Sequence, residues 1–217
     1  MDELKRSFTY PQSDENWIMK TVIGALLFWI PIINFFFFGY NLASARLGSQ
    51  DRLEMPEWDT LNEHFLNGFM VFLISLGYQA IPILVLILSV GGSLISLGIG
   101  SALGAGAGIA GGMVLWWILT MVFGFFMPMA LSAYAATGQM ADAFALGELW
   151  RRMSLVLQEY ILAYAAFWIG SAIITCFYTI PMIGWIAAWF GEAYLLIVLS
   201  NHFGRLYREA SNACQIP

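Results

Sequence analysis

The sequence contains few charged residues, and this scarcity excludes a soluble globular protein. Only 11% of its 217 residues are Asp, Glu, Lys or Arg, against about 25% in soluble domains, while 60% are hydrophobic. No charge occurs between Glu63 and Asp142, in residues 21–45 or in residues 160–191. A bilayer core of about 30 Å needs roughly 20 such residues per helix. The composition therefore predicts an all-α, polytopic integral membrane protein.

Residues that carry chemistry are also scarce. The only two histidines, His64 and His202, lie at predicted membrane boundaries, so neither a nucleophile–base pair nor a cluster of metal ligands can be argued. No glycine-rich phosphate motif follows a strand. The net charge of −5, with no basic stripe, excludes a nucleic-acid surface. The sequence thus predicts no catalytic residue, no metal site and no nucleic-acid partner, and it identifies no cofactor.

The first apolar segment, residues 17–45, is interrupted at Pro31, where proline removes a helical hydrogen bond. The segment either crosses the membrane as one kinked helix or enters and returns as a re-entrant hairpin. Lys and Arg in short loops accumulate on the cytoplasmic side. Only a returning hairpin places all nine bases there, so we favour it: Lys5, Arg6, Lys20, Arg46, Arg52, Arg151, Arg152, Arg205 and Arg208.

This charge pattern predicts a single membrane domain, residues 1–217, with about four full crossings and both termini cytoplasmic. The predicted order is a polar N-terminus (1–16), the broken hairpin (17–45), a cytoplasmic loop (46–63), two crossings (64–137), an amphipathic interfacial helix (138–159), two crossings (160–204) and a cytoplasmic tail (205–217).

Residues 91–112, which join the first two crossings, include nine glycines. Four of them recur every fourth residue, which places them on one helical stripe of the kind that lets membrane helices approach closely: Gly100, Gly104, Gly108 and Gly112. We therefore predict a helix-packing face. A single helix over residues 94–137 would be about 66 Å long at 1.5 Å per residue, too long for one crossing. Part of this segment is accordingly a loop, a re-entrant element or a separate short helix.

Glu192 lies inside the last predicted crossing, where a charged side chain costs about 2.5–3.5 kcal/mol. Either it is a neutral acid that bonds a neighbouring helix, or it forms an ion or proton site facing a cavity. Asn34 and Gln79 are the other polar side chains deep enough to partner it. Helix breaks are predicted at Pro31 and Pro181, and the similarity of residues 29–34 to 179–184 raises an internal duplication as a hypothesis.

The order and spacing of several short motifs resemble the membrane family catalogued as domain of unknown function 4013. The motifs extend over nearly the whole chain: Trp17, Ile30-Pro31-Ile32-Ile33-Asn34, Gly39-Tyr40, Met55-Pro56-Glu57-Trp58, Ala141-Asp142-Ala143-Phe144, Glu159-Tyr160, Pro181-Met182-Ile183-Gly184 and Gly204-Arg205-Leu206-Tyr207-Arg208-Glu209. The resemblance implies a polytopic bacterial or archaeal membrane protein, so the expected membrane is the inner membrane of a prokaryote or an internal membrane derived from it. It supplies no activity and no catalytic residues.

Three functional hypotheses follow from these patterns. The favoured one is a non-enzymatic structural, accessory or assembly component, whose partners are membrane lipids and other membrane proteins or further copies of itself. The alternative is a small channel or transporter with a midplane polar site at Glu192. A membrane enzyme ranks last, because no nucleophile, base or metal constellation is present.

Overall fold

The computed structural model describes the backbone of residues 2–214 and the side chains of residues 5–214, and helix is the only regular secondary structure within that part. The helices are α1 (Asp2–Thr9), a 3₁₀ turn (Tyr10–Ser13), α2 (Trp17–Phe28), α3 (Asn34–Ser49), α4 (Leu61–Gly98), α5 (Ala102–Thr137), α6 (Met140–Ala143), α7 (Leu146–Leu155), α8 (Leu157–Phe177) and α9 (Ile183–Ala213). Four of them, α4, α5, α8 and α9, are long and apolar enough to cross a membrane. The predicted all-α, multi-pass fold is confirmed.

The break predicted at Pro31 separates α2 from α3. The ring of Phe28 lies 5.5 Å from that of Phe37 and 6.2 Å from that of Phe38, so the two helices fold back on each other. With 12 residues, α2 is about 18 Å long and too short to cross a bilayer core of about 30 Å. Where this pair lies relative to the membrane stays a prediction.

The glycine-rich segment is almost entirely helical. α4 continues to Gly98 and α5 begins at Ala102, so a turn at residues 99–101 is the loop left open by the sequence. Glycine disfavours helix in water by about 1 kcal/mol, but in lipid each backbone group must be satisfied within its own helix. The two helices, of 38 and 36 residues, consequently reach about 57 and 54 Å in length.

The C-terminal part begins where Gly138 ends α5, with a φ of +71° and its N–H donated to the carbonyl of Tyr134. The segment predicted as one interfacial helix is divided into α6 and α7. Residues 178–182 form the turn between α8 and α9, at the position predicted for Pro181.

The described chain forms two compact units, one made of residues up to Ile74 and from Pro128 onward, the other of Ser75–Met127. The core of the first unit lies between α3 and α9, with Phe37, Tyr40 and Ile197 fully buried. Glycines allow the close crossing of these helices, because a Cβ at either Gly48 or Gly204 would lie 2.0 Å from a carbonyl oxygen of the opposite helix.

The contacts at this crossing are reciprocal. Gly48 meets the carbonyl of Asn201, three residues before Gly204, and Gly204 meets the carbonyl of Ala45, three residues before Gly48. The two proline turns also share a feature of backbone conformation, since the residue after each proline has a positive φ, 70° at Ile32 and 61° at Met182. Both observations support a duplication in which the α2–α3 and α8–α9 pairs are the repeats.

Candidate functional site

Glu192 lies in α9 on the side that faces α8. The hydroxyl of Ser171 donates a hydrogen bond to its Oε2 atom at 3.3 Å. The two helices come close here because Gly191 leaves room for Ile174, whose side chain would lie 3.3 Å from a Cβ at that position. Glu192 therefore has a partner on the neighbouring helix and is only partly buried.

The other two predicted polar residues, Asn34 and Gln79, lie in α3 and α4. Asn34 is the first residue of α3, and its Oδ1 atom is buried with no hydrogen-bond partner. No hydrogen bond joins Asn34 to Glu192 within the described residues. Gln79 belongs to α4 in the Ser75–Met127 unit.

Three of the four predicted stripe glycines line the inner face of the α4–α5 hairpin. A Cβ at Gly112 would lie 2.1 Å from the Cβ of Ser89, and one at Gly108 would lie 2.6 Å from the hydroxyl of Ser93. Gly104 faces a serine in the same way, because a Cβ there would lie 2.7 Å from the hydroxyl of Ser101 in the turn and 3.7 Å from the Cβ of Ser96 in α4. We call these facing positions the serine–glycine zipper.

Gly100 departs from the predicted stripe. It lies in the turn between α4 and α5 with a φ of +82°, a conformation that glycine adopts without steric cost, and nothing lies within 4 Å of a Cβ there. Its four-residue spacing from Gly104 is therefore a coincidence of sequence, and its role is to close the turn.

Other glycines of the hairpin have open faces. Nothing lies within 4 Å of a Cβ at these positions: Gly91, Gly92, Gly98, Gly106 and Gly111. Such positions expose helix backbone to whatever surrounds the hairpin, so a second helix can approach closely there.

Sequence reasoning missed a buried cation at the start of α2. Lys20 is 5% exposed, and its Nζ lies 2.6 Å from both Asp14 Oδ2 and Glu57 Oε1. Burial raises the pKa of Asp14, but the hydrogen bonds from Lys20 and from the backbone N–H of Asn16, together with the charge of Lys20, outweigh it and hold that pKa below its usual value. Lys20 thus joins the polar loop that follows α3 to the segment that precedes α2.

Aromatic contacts fix the same loop. The indole of Trp58 stacks on the ring of Tyr40 at 4.2 Å and donates a hydrogen bond to the carbonyl of Lys20 at 3.2 Å. The hydroxyl of Tyr40 donates to the carbonyl of Pro56 at 2.9 Å. We call Asp14, Lys20, Tyr40, Glu57 and Trp58 the loop anchor.

The loop anchor could have been suspected from Met55-Pro56-Glu57-Trp58, which places a large aromatic beside an acid in a polar loop. Lys20 gave no such indication, because in the sequence it does not differ from the other bases that are predicted to lie on the cytoplasmic side. Its partner Glu57 is 37 residues away, beyond the range of any helical spacing.

A second polar cluster lies at the C-terminal end of α9. Asp51 Oδ2 lies 2.6 Å from Arg208 Nη1, and Asp51 Oδ1 lies 3.4 Å from Arg205 Nε. The hydrogen bond from Arg208 and the charges of both arginines lower the pKa of Asp51. These contacts tie the start of the polar loop to α9.

The described side chains also include a buried serine–histidine contact. Ser7 Oγ lies 2.9 Å from His202 Nδ1, and both residues are enclosed. This contact links α1 to α9 and is best explained as packing. Among the described residues, no group of three or more His, Cys, Asp or Glu is arranged to hold a metal ion.

A model of a known protein family matches most of the chain. The model of a family described as "Protein of unknown function (DUF4013)" matches residues 23–183, well over half of the chain. The match includes Tyr40, Glu57 and Trp58 of the loop anchor and ends at the first residue of α9. No curated protein and no solved structure matched the sequence.

Proposed function

The chain belongs to the DUF4013 family of proteins of unknown function, and from that premise we propose that it is a non-enzymatic structural or accessory component that packs against other proteins in the membrane. The α4–α5 hairpin is the packing element. The proposal agrees with a multi-pass protein in which contacts between helices are more extensive than any cluster of residues that could bind a ligand or catalyse a reaction.

The observation that carries the proposal is the contrast between the inner and outer faces of this hairpin. The inner face is closed by the serine–glycine zipper. With all faces of each helix counted, only 22% of the most apolar 18 residues of α4 and 11% of those of α5 are buried. The open glycines lie in this exposed surface, which is suited to another membrane helix because glycine lets two backbones approach.

Gentle detergent extraction followed by native-size analysis tests the proposal. We expect the wild-type chain to run in a reproducible complex with other membrane proteins. Gly111→Leu fills an open face without touching the zipper and should release the chain from that complex. Gly147→Leu, at a position in α7 with nothing within 4 Å, is the matched control. A wild-type chain that runs alone, or release by both variants alike, contradicts the proposal.

A second candidate function, a small channel or transporter, is favoured by the contact of Glu192 with Ser171. An intramembrane acid that keeps a polar partner and partial exposure can bind and release a proton or cation. Glu192→Gln, which keeps the shape of the side chain, should abolish flux in proteoliposomes, and Ser171→Ala should reduce it. Equal silence of the wild type and both variants across ions and small solutes rejects this function.

A further inference from the structure

The two proline turns of the first unit meet at one place. The ring of Trp29, in the turn between α2 and α3, lies 6.5 Å from that of Tyr178, in the turn between α8 and α9. It also lies 5.6 Å from the ring of Trp189 in α9. We call residues 29–33 and 178–183 together the double tip. Whatever depth one turn reaches in the membrane, the other turn lies close to it.

The double tip is built for an apolar environment. Several of its large hydrophobic side chains are strongly exposed: Ile32 is 67% exposed, Met182 is 74% and Ile183 is 78%. Ile32 and Met182 also have positive φ angles, which turns in water usually give to glycine or asparagine. Neither turn carries a charge. A turn that ended in the aqueous phase beyond the membrane would expose all of these side chains to water.

The length of α2 limits how deep the double tip can lie. α2 begins directly after Asp14, Glu15 and Asn16, and the last two are exposed and polar, so this point is at the membrane surface. From Ile18 onward the exposed side chains of α2 are apolar. Because α2 has 12 residues, its far end lies at most about 18 Å below its start, whatever its tilt. A complete crossing needs about 30 Å.

A second measure of depth comes from α9. The loop anchor contains charged groups, and its Tyr40 shares a core cluster with Ala193 and Ile197. Those residues are 10 and 14 positions beyond Ile183, which corresponds to about 15–21 Å of helix. The charged groups and the double tip are therefore separated by roughly one leaflet, in agreement with the limit set by α2.

We propose that α8 and α9 form a second re-entrant hairpin beside α2 and α3, so that the double tip is a lipid-binding surface surrounded by acyl chains in the bilayer interior. α8 is long enough to cross upright, but its far end is held at the depth of Trp29, so it lies tilted. The complete crossings are then those of α4 and α5. The inference is independent of the proposed function, because it concerns only the depth of the first unit.

Depth measurement by spin labelling tests this inference on the full chain in lipid vesicles. Cys176 and Cys214 are first replaced by Ala and Ser. A nitroxide is then attached at Ile32→Cys or Met182→Cys, with Gln50→Cys in the exposed polar loop and Ile99→Cys in the α4–α5 turn as references. At both tip positions we expect the nitroxide to collide frequently with oxygen. We also expect it not to collide with a water-soluble nickel complex, whichever side of the membrane the complex is on.

Nickel collisions at Met182 that match those at Ile99, with the complex on the far side, would overturn the inference, because α8 and α9 would then cross completely. Each labelled variant is checked by its unfolding temperature. If the Met182 variant does not fold, Ile186→Cys replaces it, since Ile186 lies one turn away and is 65% exposed. Shallow positions for both tips, at the level of Gln50, would overturn the inference equally.

Discussion

Lys20 brings a positive charge into the interior of the first unit, where its side chain is only 6% exposed. A buried cation is tolerated when its charge and hydrogen-bonding capacity are met, and Asp14 and Glu57 meet both. The two acids differ in setting, since the side chain of Asp14 is 21% exposed and that of Glu57 is 66% exposed. Asp14 should consequently contribute more to stability than Glu57.

Replacing Lys20 with methionine is expected to destabilise the protein, because Asp14 loses its partner in a partly buried site. Breaking a buried pair costs about 3–5 kcal/mol, and the exposure of Glu57 should reduce the loss here to about 1–3 kcal/mol. The measurement is thermal or denaturant unfolding in detergent. Arg52→Met is the matched control, because the Arg52–Glu54 pair is exposed on both sides and should change stability by less than about 1 kcal/mol. Equal losses of stability for Lys20→Met and Arg52→Met would contradict the stabilising role assigned to the buried charge of Lys20.

The lowered pKa of Asp51 predicts a dependence of stability on pH. Its ion pairs with Arg205 and Arg208 contribute stability above the unfolded-state pKa of about 3.9, and this contribution is lost as the pH falls through the lower folded-state pKa. Asp51→Asn keeps a residue that tolerates the positive φ of 63° at this position. The variant should be less stable than the wild type at pH 7. It should also lose less stability than the wild type on acidification below pH 5, which is about one unit above the reference pKa of Asp.

Unfolding midpoints measured across this pH range check the prediction. Asp59→Asn is the control, because Asp59 is exposed and has no ion pair within the described part of the chain. If Asp51→Asn and wild type lose stability in parallel on acidification, the ion pairs of Asp51 are not responsible for the acid dependence.

At the scale of helices, close approach in this protein depends on glycine, and the two units use it differently. At the α3–α9 crossing of the first unit, Gly48 and Gly204 meet backbone carbonyls. In the hairpin, Gly104 and Gly108 meet serine hydroxyls, which can rotate away, whereas Gly112 meets the Cβ of Ser89, which moves only with the backbone. Substitutions should therefore cost more at the α3–α9 crossing than at Gly104 or Gly108.

Alanine substitution at three glycines tests this order. Gly204→Ala should lower the unfolding temperature most, because its Cβ would lie 2.0 Å from the carbonyl oxygen of Ala45. Gly108→Ala should have a smaller effect, of about the 1–3 kcal/mol typical of overpacking, because only the rotatable hydroxyl of Ser93 lies close to its Cβ, at 2.6 Å. Gly111→Ala has open space around it and should be neutral or slightly stabilising. An effect of Gly111→Ala as large as that of Gly108→Ala would contradict the zipper.

The sequence predicted those elements that depend on local chemistry. Proline disfavours helix through its own ring, so the interruptions at Pro31 and Pro181 were predictable, and Gly138 ended α5 for an equally local reason. Proline alone is not sufficient, because Pro82 and Pro128 lie inside α4 and α5. The four-residue glycine period predicted a packing face, but it could not show that Gly108 faces Ser93 of the preceding helix. The helical state of residues 91–98 was left open by the sequence, because glycine propensity in water does not apply within lipid.

At the scale of the whole molecule, the features missed by the sequence are contacts between distant segments. Lys20 and Glu57 are brought together by the fold of the polar loop over α2, and Ser7 meets His202 because α1 packs against the C-terminal half of α9. No periodicity encodes such pairs. Composition, by contrast, was sufficient to predict a multi-pass membrane protein, because long apolar helices need a nonpolar solvent whatever their tertiary contacts.

The contact of α1 with α9 predicts that both chain ends lie on the same side of the membrane. Ser7 bonds His202, and Tyr194 donates a hydrogen bond to the carbonyl of Phe8, so the N-terminal helix is fixed beside the C-terminal half of α9. The clustering of arginines at that end favours the cytoplasm. Green fluorescent protein fused to either end should fluoresce, and alkaline phosphatase fused to either end should be inactive.

The control for this prediction is a phosphatase inserted after Gly100, in the turn between α4 and α5. α4 and α5 are each long enough to cross the membrane, so this turn should reach the opposite side and the inserted enzyme should be active. An active phosphatase at one end of the chain alone would require an odd number of crossings. That result is incompatible with the buried contact between Ser7 and His202, because the two residues would then lie on opposite sides of the membrane.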